Sequence, residues 1–137
     1  VAACHAAIHA IAAASRAGFL EACHDVSDGG LLAAVAEMAI AGRRGARVAL
    51  ADVPFEPQAA SDLARAFAET PGRFVCEVRP EHEAEFARLL AGGPRAVAWA
   101  WIGGVTADAD LEIVATSGGS ERIAVESLAR AWRGETA

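Results

Sequence analysis

The sequence predicts an α+β fold, a mixed β-sheet with helices packed on it. Helical and strand periodicities interleave along the chain, which gives both element types. Several strand segments are separated only by turns, and strands joined by short turns pair antiparallel, so a doubly wound parallel sheet is a poorer fit. At 137 residues, 54% hydrophobic and 22% charged, the chain is long enough for one core and short for two, so residues 1–137 read as a single domain.

The first helix covers residues 3–16, an Ala-rich run with Ile8, Ile11 and Ala12 at helical spacing and Gly18 placed to close it in left-handed geometry. Phe19 to Val26 is short and mostly apolar and runs into Asp-Ser-Asp-Gly-Gly, a buried strand followed by a turn. The second helix carries Leu31, Val35 and Met38 at i, i+4 and i+7, widened by Leu32 and Ala39, with Gly42 as its stop. Gly45 to Leu50 reads as a strand that Pro54 ends. Ser61 to Ala68 is a short helix with Ser61 as N-cap, and Thr70-Pro71-Gly72 turns the chain out of it.

From Arg73 to Arg79 apolar Phe74, Cys76 and Val78 alternate with polar Arg73, Glu77 and Arg79, the pattern of a half-buried strand. Pro80 opens a fourth helix with Glu81, Glu83 and Glu85 near its positive end, Phe86 and Leu90 facing inward and Gly92-Gly93 as a stop. The apolar run Ala96 to Ile102 reads as a strand with Val97, Trp99 and Trp101 on one side. Leu111 to Ala115 is another strand, Ser117-Gly118-Gly119-Ser120 a hairpin turn, and Val125, Leu128, Ala129 and Trp132 the stripe of a final helix.

Composition excludes some functions. Acidic residues outnumber basic ones 18 to 12 and every basic residue is Arg, so no broad cationic face is available for nucleic acid. No apolar run approaches the roughly 20 residues of a membrane-spanning helix, so no membrane is expected as a partner. Cys4, Cys23 and Cys76, odd in number and scattered, suit reduced thiols and a cytoplasmic location. The start Val1-Ala2-Ala3-Cys4 has neither initiator Met nor signal-peptide features, so a piece of a longer chain is expected.

The chemistry concentrates in "HDVSDGG", residues 24–30. Glycines at a helix start let a ligand approach the backbone, and the free N–H groups attract anions such as phosphate. Asp25 and Asp28 put two negative charges at the same spot, where a bare phosphate would be repelled unless a divalent cation lay between. A magnesium-bridged phosphate is one reading. The other is that Ser27 or Asp28 caps the helix, Asp25 bonds turn amides and the glycines serve packing.

His5 and His9, with Cys4, Cys23 and His24, are metal-ligand residue types, but Cys4 and His5 are neighbours and cannot share one helical face. Trp99, Trp101 and Trp132 are candidates for core or for a docking surface, and no nucleophile–base pair is evident.

"HDVSDGGLLAAVAEMAIAGRRGARVAL" resembles the signature of the C-terminal domain shared by the aminoimidazole ribonucleotide synthetase superfamily. The Ala36-Glu37-Met38-Ala39 continuation is most similar to the phosphoribosylformylglycinamidine synthases. "FAETPGRFVCEV", "WIGGVT" and "LARAWRGE" resemble later segments of that family in the same order. The resemblance implies the C-terminal domain of an ATP-dependent ligase that converts formylglycinamide ribonucleotide, with ammonia from glutamine, to formylglycinamidine ribonucleotide in purine biosynthesis. It also implies ATP and magnesium as cofactors.

Carried over by motif, Asp25 would ligate magnesium, Asp25, Ser27, Asp28, Gly29 and Gly30 would border the nucleotide, and Glu69 and Thr70 would meet substrate. No catalytic residue is implied here, and the isolated domain should be inactive. Implied partners are the preceding domains of the synthetase, a glutaminase subunit and a small carrier subunit. A homo-oligomer formed through surface bared by the loss of those domains is a further expectation.

The chain departs from the metal-binding copy of the motif at Val26-Ser27-Asp28, and Thr70-Pro71 stands where that copy has Ser-Gln, a proline that cannot donate a hydrogen bond. These departures point to a structural or pseudo-active half. The alternatives are a non-catalytic interaction domain, or another superfamily member such as a selenophosphate synthetase, a thiamine-phosphate kinase or a hydrogenase-maturation protein.

Overall fold

The computed structural model describes residues 2–55, 61–92 and 97–135. Its elements run α1 (Ala2–Arg16), β1 (Leu20–Asp25), α2 (Gly30–Gly42), β2 (Gly45–Ala49), α3 (Asp62–Phe67), β3 (Phe74–Val78), α4 (Glu83–Ala91), β4 (Gly103–Thr106), β5 (Asp110–Val114), β6 (Ser120–Ala124) and α5 (Val125–Trp132). The α+β class and the mixed pairing expected from the sequence are found, divided between two sheets.

The larger sheet has the order β4-β2-β5-β6. β2 pairs parallel with β5, and the other two pairings are antiparallel. The smaller is an antiparallel ribbon of β1 and β3, in which Cys23 stands opposite Cys76, His24 opposite Val75 and Asp25 opposite Phe74.

The ribbon is not regular. Leu20 faces Val78 and Cys23 faces Cys76, with a bulge between Leu20 and Ala22. Because side chains alternate, the bulge puts Leu20 and Cys23 on one face and Ala22 and His24 on the other.

Two apolar clusters flank the ribbon. One gathers Leu31, Ala34 and Val35 of α2 with Val26, Val48 and Leu111; the other joins Ala14 of α1 to Phe86 and Leu90 of α4. Val75 packs on the first, while Cys76 and Val78 pack on the second. β3 is therefore a partition between two cores, and the half-buried strand with one polar face is corrected: the alternation of Phe74, Cys76 and Val78 is real, but Val75 is apolar and needs a core of its own.

The sequence places some elements well. Ser61 caps α3, its hydroxyl accepting from the Ala64 N–H at 3.1 Å. Phe86 and Leu90 of α4 are buried. The hairpin turn closes β5 onto β6 through Gly118 N–H to Ala115 O at 2.9 Å and Ala115 N–H to Gly119 O at 2.7 Å.

Other expectations are corrected. Residues 97–102 form no strand: β4 begins at Gly103, with Ile102 contributing only its carbonyl, which accepts the Ala49 N–H at 2.7 Å. Trp101 instead lies 6.1 Å from Phe86 and edge-on to Trp99 at 5.5 Å, while Val97 packs on the second cluster and Ile102 on the first, so only the ends of the run are part-buried and the two tryptophans stay 37% and 43% exposed. Ala96 and Gly93 lie outside the described residues. Ile8 and Trp132, assigned to inward stripes, are 48% and 69% exposed, and α1 buries Ala7 and Ala14 instead. Pro80 opens a 3-10 turn over Pro80–His82, and α4 starts at Glu83.

Gly42 is the last residue of α2, but the left-handed residue that terminates the helix is Arg43, at φ 51°. The Arg43 and Arg44 N–H groups close the end onto Ile40 O and Ala39 O at 3.3 and 3.2 Å. An L side chain in this conformation costs roughly 1–2 kcal/mol, part of which a glycine returns through the entropy of the unfolded chain. Arg43→Gly is therefore expected to raise the unfolding free energy by up to about 1 kcal/mol in urea denaturation; an unchanged or lower midpoint would contradict this account of the helix end.

Candidate functional site

β1 delivers Asp25 to the surface, and the next residue anchors the turn. Val26 is buried, and its N–H donates to Arg73 O at 2.9 Å, tying the end of β1 to the start of β3. The chain then reverses through Ser27, Asp28 and two left-handed glycines, Gly29 at φ 80° and Gly30 at φ 71°, with Gly30 N–H on Ser27 O at 3.0 Å. α2 begins at Gly30.

Space is tight behind that start. A Cβ on Gly30 would lie 2.5 Å from the Phe67 carbonyl carbon, so the second glycine serves a backbone-to-backbone contact as well as a positive φ.

Neither Ser27 nor Asp28 caps α2: no side-chain cap hydrogen bond forms, and both residues are exposed. The cap comes from 40 residues away, where the Glu69 carboxylate accepts the Gly29 N–H at 2.8 Å. A carboxylate there also lies at the positive end of the helix dipole. The turn of residues 25–30 and the Glu69 segment, expected as nucleotide-bordering and substrate-contacting groups, thus meet through this bond. Thr70, the next residue, is exposed.

α3 holds Glu69 in place. Arg65 reaches from α3 to donate to the carbonyls of Leu50, at 3.2 Å, and Val53, locking the helix to the 3-10 turn Leu50–Asp52. Arg73 donates to Ala68 O at 3.1 Å, and burial lowers its pKa from the ordinary guanidinium value.

The Asp25 side chain is 65% exposed, with His24 Nδ1 3.7 Å from its carboxylate. His24 points to the α2 side of the ribbon and uses both ring nitrogens: Nδ1 is 2.7 Å from the Asp25 carbonyl oxygen and Nε2 is 2.9 Å from Glu37 Oε2. Two oxygen acceptors suit the doubly protonated ring, in which both nitrogens donate. The Asp25 carbonyl above all, then the Glu37 carboxylate and the Asp25 charge, hold His24 above its ordinary pKa of 6.5, against a lowering by partial burial.

Sequence reasoning missed this pair. Its signal was Glu37, seven residues after Gly30 and so two turns up the same face of an otherwise apolar helix.

On the other face of the ribbon the Cys23 and Cys76 sulfurs are 3.6 Å apart. The hydrogen bond from Cys76 lowers the Cys23 thiol to about 7, while Cys76, as donor and through burial, is pushed up.

A cleft of about 360 Å³ opens behind the turn, lined among others by Val26, Leu31, Pro71, Arg73, Trp99 and Trp101. Asp25, Ser27, Asp28 and Glu69 are not part of its lining, so the acidic groups face open surface. His5 and His9 touch through their Nε2 atoms at 3.0 Å on the exposed side of α1. Among the described residues no three His, Cys, Asp or Glu side chains converge as a metal cage.

A family model described as "AIR synthase related protein, C-terminal domain" matches residues 2–116. The phosphoribosylformylglycinamidine synthase subunit PurL of Synechococcus elongatus is 40% identical over 120 residues, 85% of this chain and 14% of the relative, so the chain spans about a seventh of that relative's length. The structure of T. maritima PurL complexed with ADP superposes with a TM-score of 0.78 at 21% identity, covering 90% of this chain and 21% of that one. E. coli HypE, a hydrogenase maturation protein, superposes at 0.68 and 17% identity, covering 85% of this chain and 38% of that one. At these identities the structural likeness concerns the fold.

The geometry of the turn has two measurable consequences. Gly30→Ala should cost at least the roughly 1–3 kcal/mol of a strained positive φ, because the Phe67 backbone must also shift; a thermal or urea midpoint within error of wild type would refute that contact.

His24 is raised in the folded state, so its contribution to stability is complete below pH 6.5, the ordinary value, and is lost as pH rises through the folded pKa. In metal-free buffer, the unfolding free energy of wild type relative to His24→Gln should fall with rising pH across that window; a flat or rising difference would show that the Asp25 carbonyl and Glu37 do not hold the charged ring.

Proposed function

Because the chain belongs to the family of AIR synthase related protein C-terminal domains, we propose that residues 1–137 are the C-terminal domain of a phosphoribosylformylglycinamidine synthase. In that reading the parent is an ATP-dependent ligase of purine biosynthesis that converts formylglycinamide ribonucleotide and ammonia from glutamine to formylglycinamidine ribonucleotide. Identity of 40% to a PurL subunit supports this branch over others, since the HypE-like fold alone does not separate them. The reading places the protein in the cytoplasm, beside the preceding synthetase domains, a glutaminase subunit and a small carrier subunit. Among the described residues no helix is long and apolar enough to cross a membrane.

The observation that carries the proposal is the glycine-started turn into α2 with the Asp25 carboxylate 65% exposed just before it, the turn that the family resemblance singles out. Asp25, Asp28 and Glu69 are hard oxygen donors, the class magnesium takes. Magnesium usually keeps several waters and binds through one or two carboxylates plus substrate phosphates, so an all-protein cage is not required. Asp25 would hold the ion, with Ser27, Asp28, Gly29 and Gly30 bordering the phosphates and Glu69 and Thr70 toward substrate. When bound, magnesium would neutralise phosphate charge that the carboxylates otherwise repel. The chain's own part is orientation: Val26 and Arg73 fix the end of β1, Arg65 fixes the Glu69 segment, and His24, when protonated, offsets the negative charge of Asp25. Catalytic groups would lie in other domains.

One observation favours a second reading, a scaffold that keeps the fold without the site. The Gly29 N–H, a donor that a phosphate would use, is already satisfied by Glu69, and Pro71 has no N–H to offer.

Titration calorimetry of the full chain with magnesium and ATP separates the two. A retained site gives binding heat that Asp25→Ala weakens at least tenfold, about 1.4 kcal/mol, with the fold intact by circular dichroism. Absence of wild-type heat, or heat that Asp25→Ala leaves unchanged, would sink the nucleotide reading and leave the scaffold.

A further inference from the structure

Cys23 and Cys76 have no part in the proposed nucleotide site, yet the fold sets them against each other. They are direct partners in the β1–β3 register, although 53 residues apart in sequence. Directly opposed antiparallel residues hold their Cα atoms about 4.5–5.5 Å apart, inside the roughly 4.4–6.8 Å that a disulfide spans. With the sulfurs already 3.6 Å apart, joining them asks for side-chain rotation and no strand movement. The two thiols differ in access: Cys23 is exposed, whereas Cys76 is part-buried against the α1–α4 cluster. Cys4 sits elsewhere, on α1 beside Gly72.

The geometry points to Cys23 and Cys76 as a reversible oxidation site, in which a peroxide-class oxidant converts the two thiols to a cross-strand disulfide. Cys23, the one that solvent reaches, attacks the peroxide: its sulfur bonds to one oxygen as the O–O bond breaks, leaving Cys23 sulfenic acid and one water. The Cys76 sulfur then attacks the Cys23 sulfur and gives up its proton, and the S–O bond breaks to release a second water. Two thiols and one hydrogen peroxide thus become one disulfide and two waters. A dithiol reductant reverses the bond by exchange and is itself oxidised. The bridge would staple β1 to β3 two residues before Asp25.

Peptide mapping of the full chain after treatment with near-stoichiometric hydrogen peroxide, alkylation of remaining thiols and non-reducing digestion tests this. The expected product is a Cys23–Cys76 crosslinked peptide lighter by two hydrogens, restored by dithiothreitol, with Cys4 still alkylated. Cys76→Ser should stop the reaction at a Cys23 sulfenic acid that dimedone captures, and Cys23→Ser should leave Cys76 reduced at the same dose. The wild-type map stands even where a variant fails to fold. Crosslinks through Cys4 or between chains, over-oxidation of Cys23 with Cys76 free, or no oxidation of either at a dose that oxidises the unfolded chain would each overturn the proposal.

Discussion

The bond from the Gly29 amide to the Glu69 carboxylate is the contact around which this domain is arranged. α2 supplies Leu31, Ala34 and Val35 to the main core and must begin where β1 ends, so its first turn cannot be moved without disturbing both. That turn has no cap of its own, and a helix end left bare costs about 1 kcal/mol. Glu69 supplies what Ser27 and Asp28 do not, and Phe67 fills the space that a Gly30 side chain would need. Helix end and candidate site thus share one device: the carboxylate that closes the helix is also the Glu69 that the family resemblance singles out.

β3 makes this arrangement possible by serving two cores at once. Val75 faces the α2 layer while Cys76 and Val78 face α1 and α4, so the ribbon transmits position from one layer to the other. On β1 the bulge after Leu20 keeps the aliphatic anchor on the α1–α4 side and turns His24 toward α2, where Glu37 meets it. Without it Leu20 would share the face of His24.

What was legible in the sequence follows the strength of local signals. α2, the Ser61 cap and the buried Phe86 and Leu90 are written in short-range spacing and appear as expected. The turn at residues 24–30 was legible too, and Glu69 was singled out through family resemblance, but the bond between them was not: the capping role of Glu69 crosses 40 residues and leaves no local trace. β6 escaped notice because all five of its residues are exposed and no alternation marks an edge strand of this kind. Residues 97–102 misled for the opposite reason: an apolar run need not be a buried strand, and here Trp99 and Trp101 stack edge-on at the surface instead of pairing. Arg43 took the left-handed position beside a glycine that composition alone would have chosen.

The distances between paired segments along the chain also set when the site comes into being. β1 meets β3 across some 50 residues and β2 meets β5 across more than 60, and such non-local pairings form slowly because loop closure precedes any reward from contact. The acidic loop is spelled out within six consecutive residues, yet its geometry waits for partners far along the polypeptide. A nascent chain that has emerged only as far as Gly42 carries the motif but neither the Glu69 that bonds Gly29 nor the Arg73 that ties down Val26. Maturation of the site is therefore a late event, coincident with closure of the whole domain.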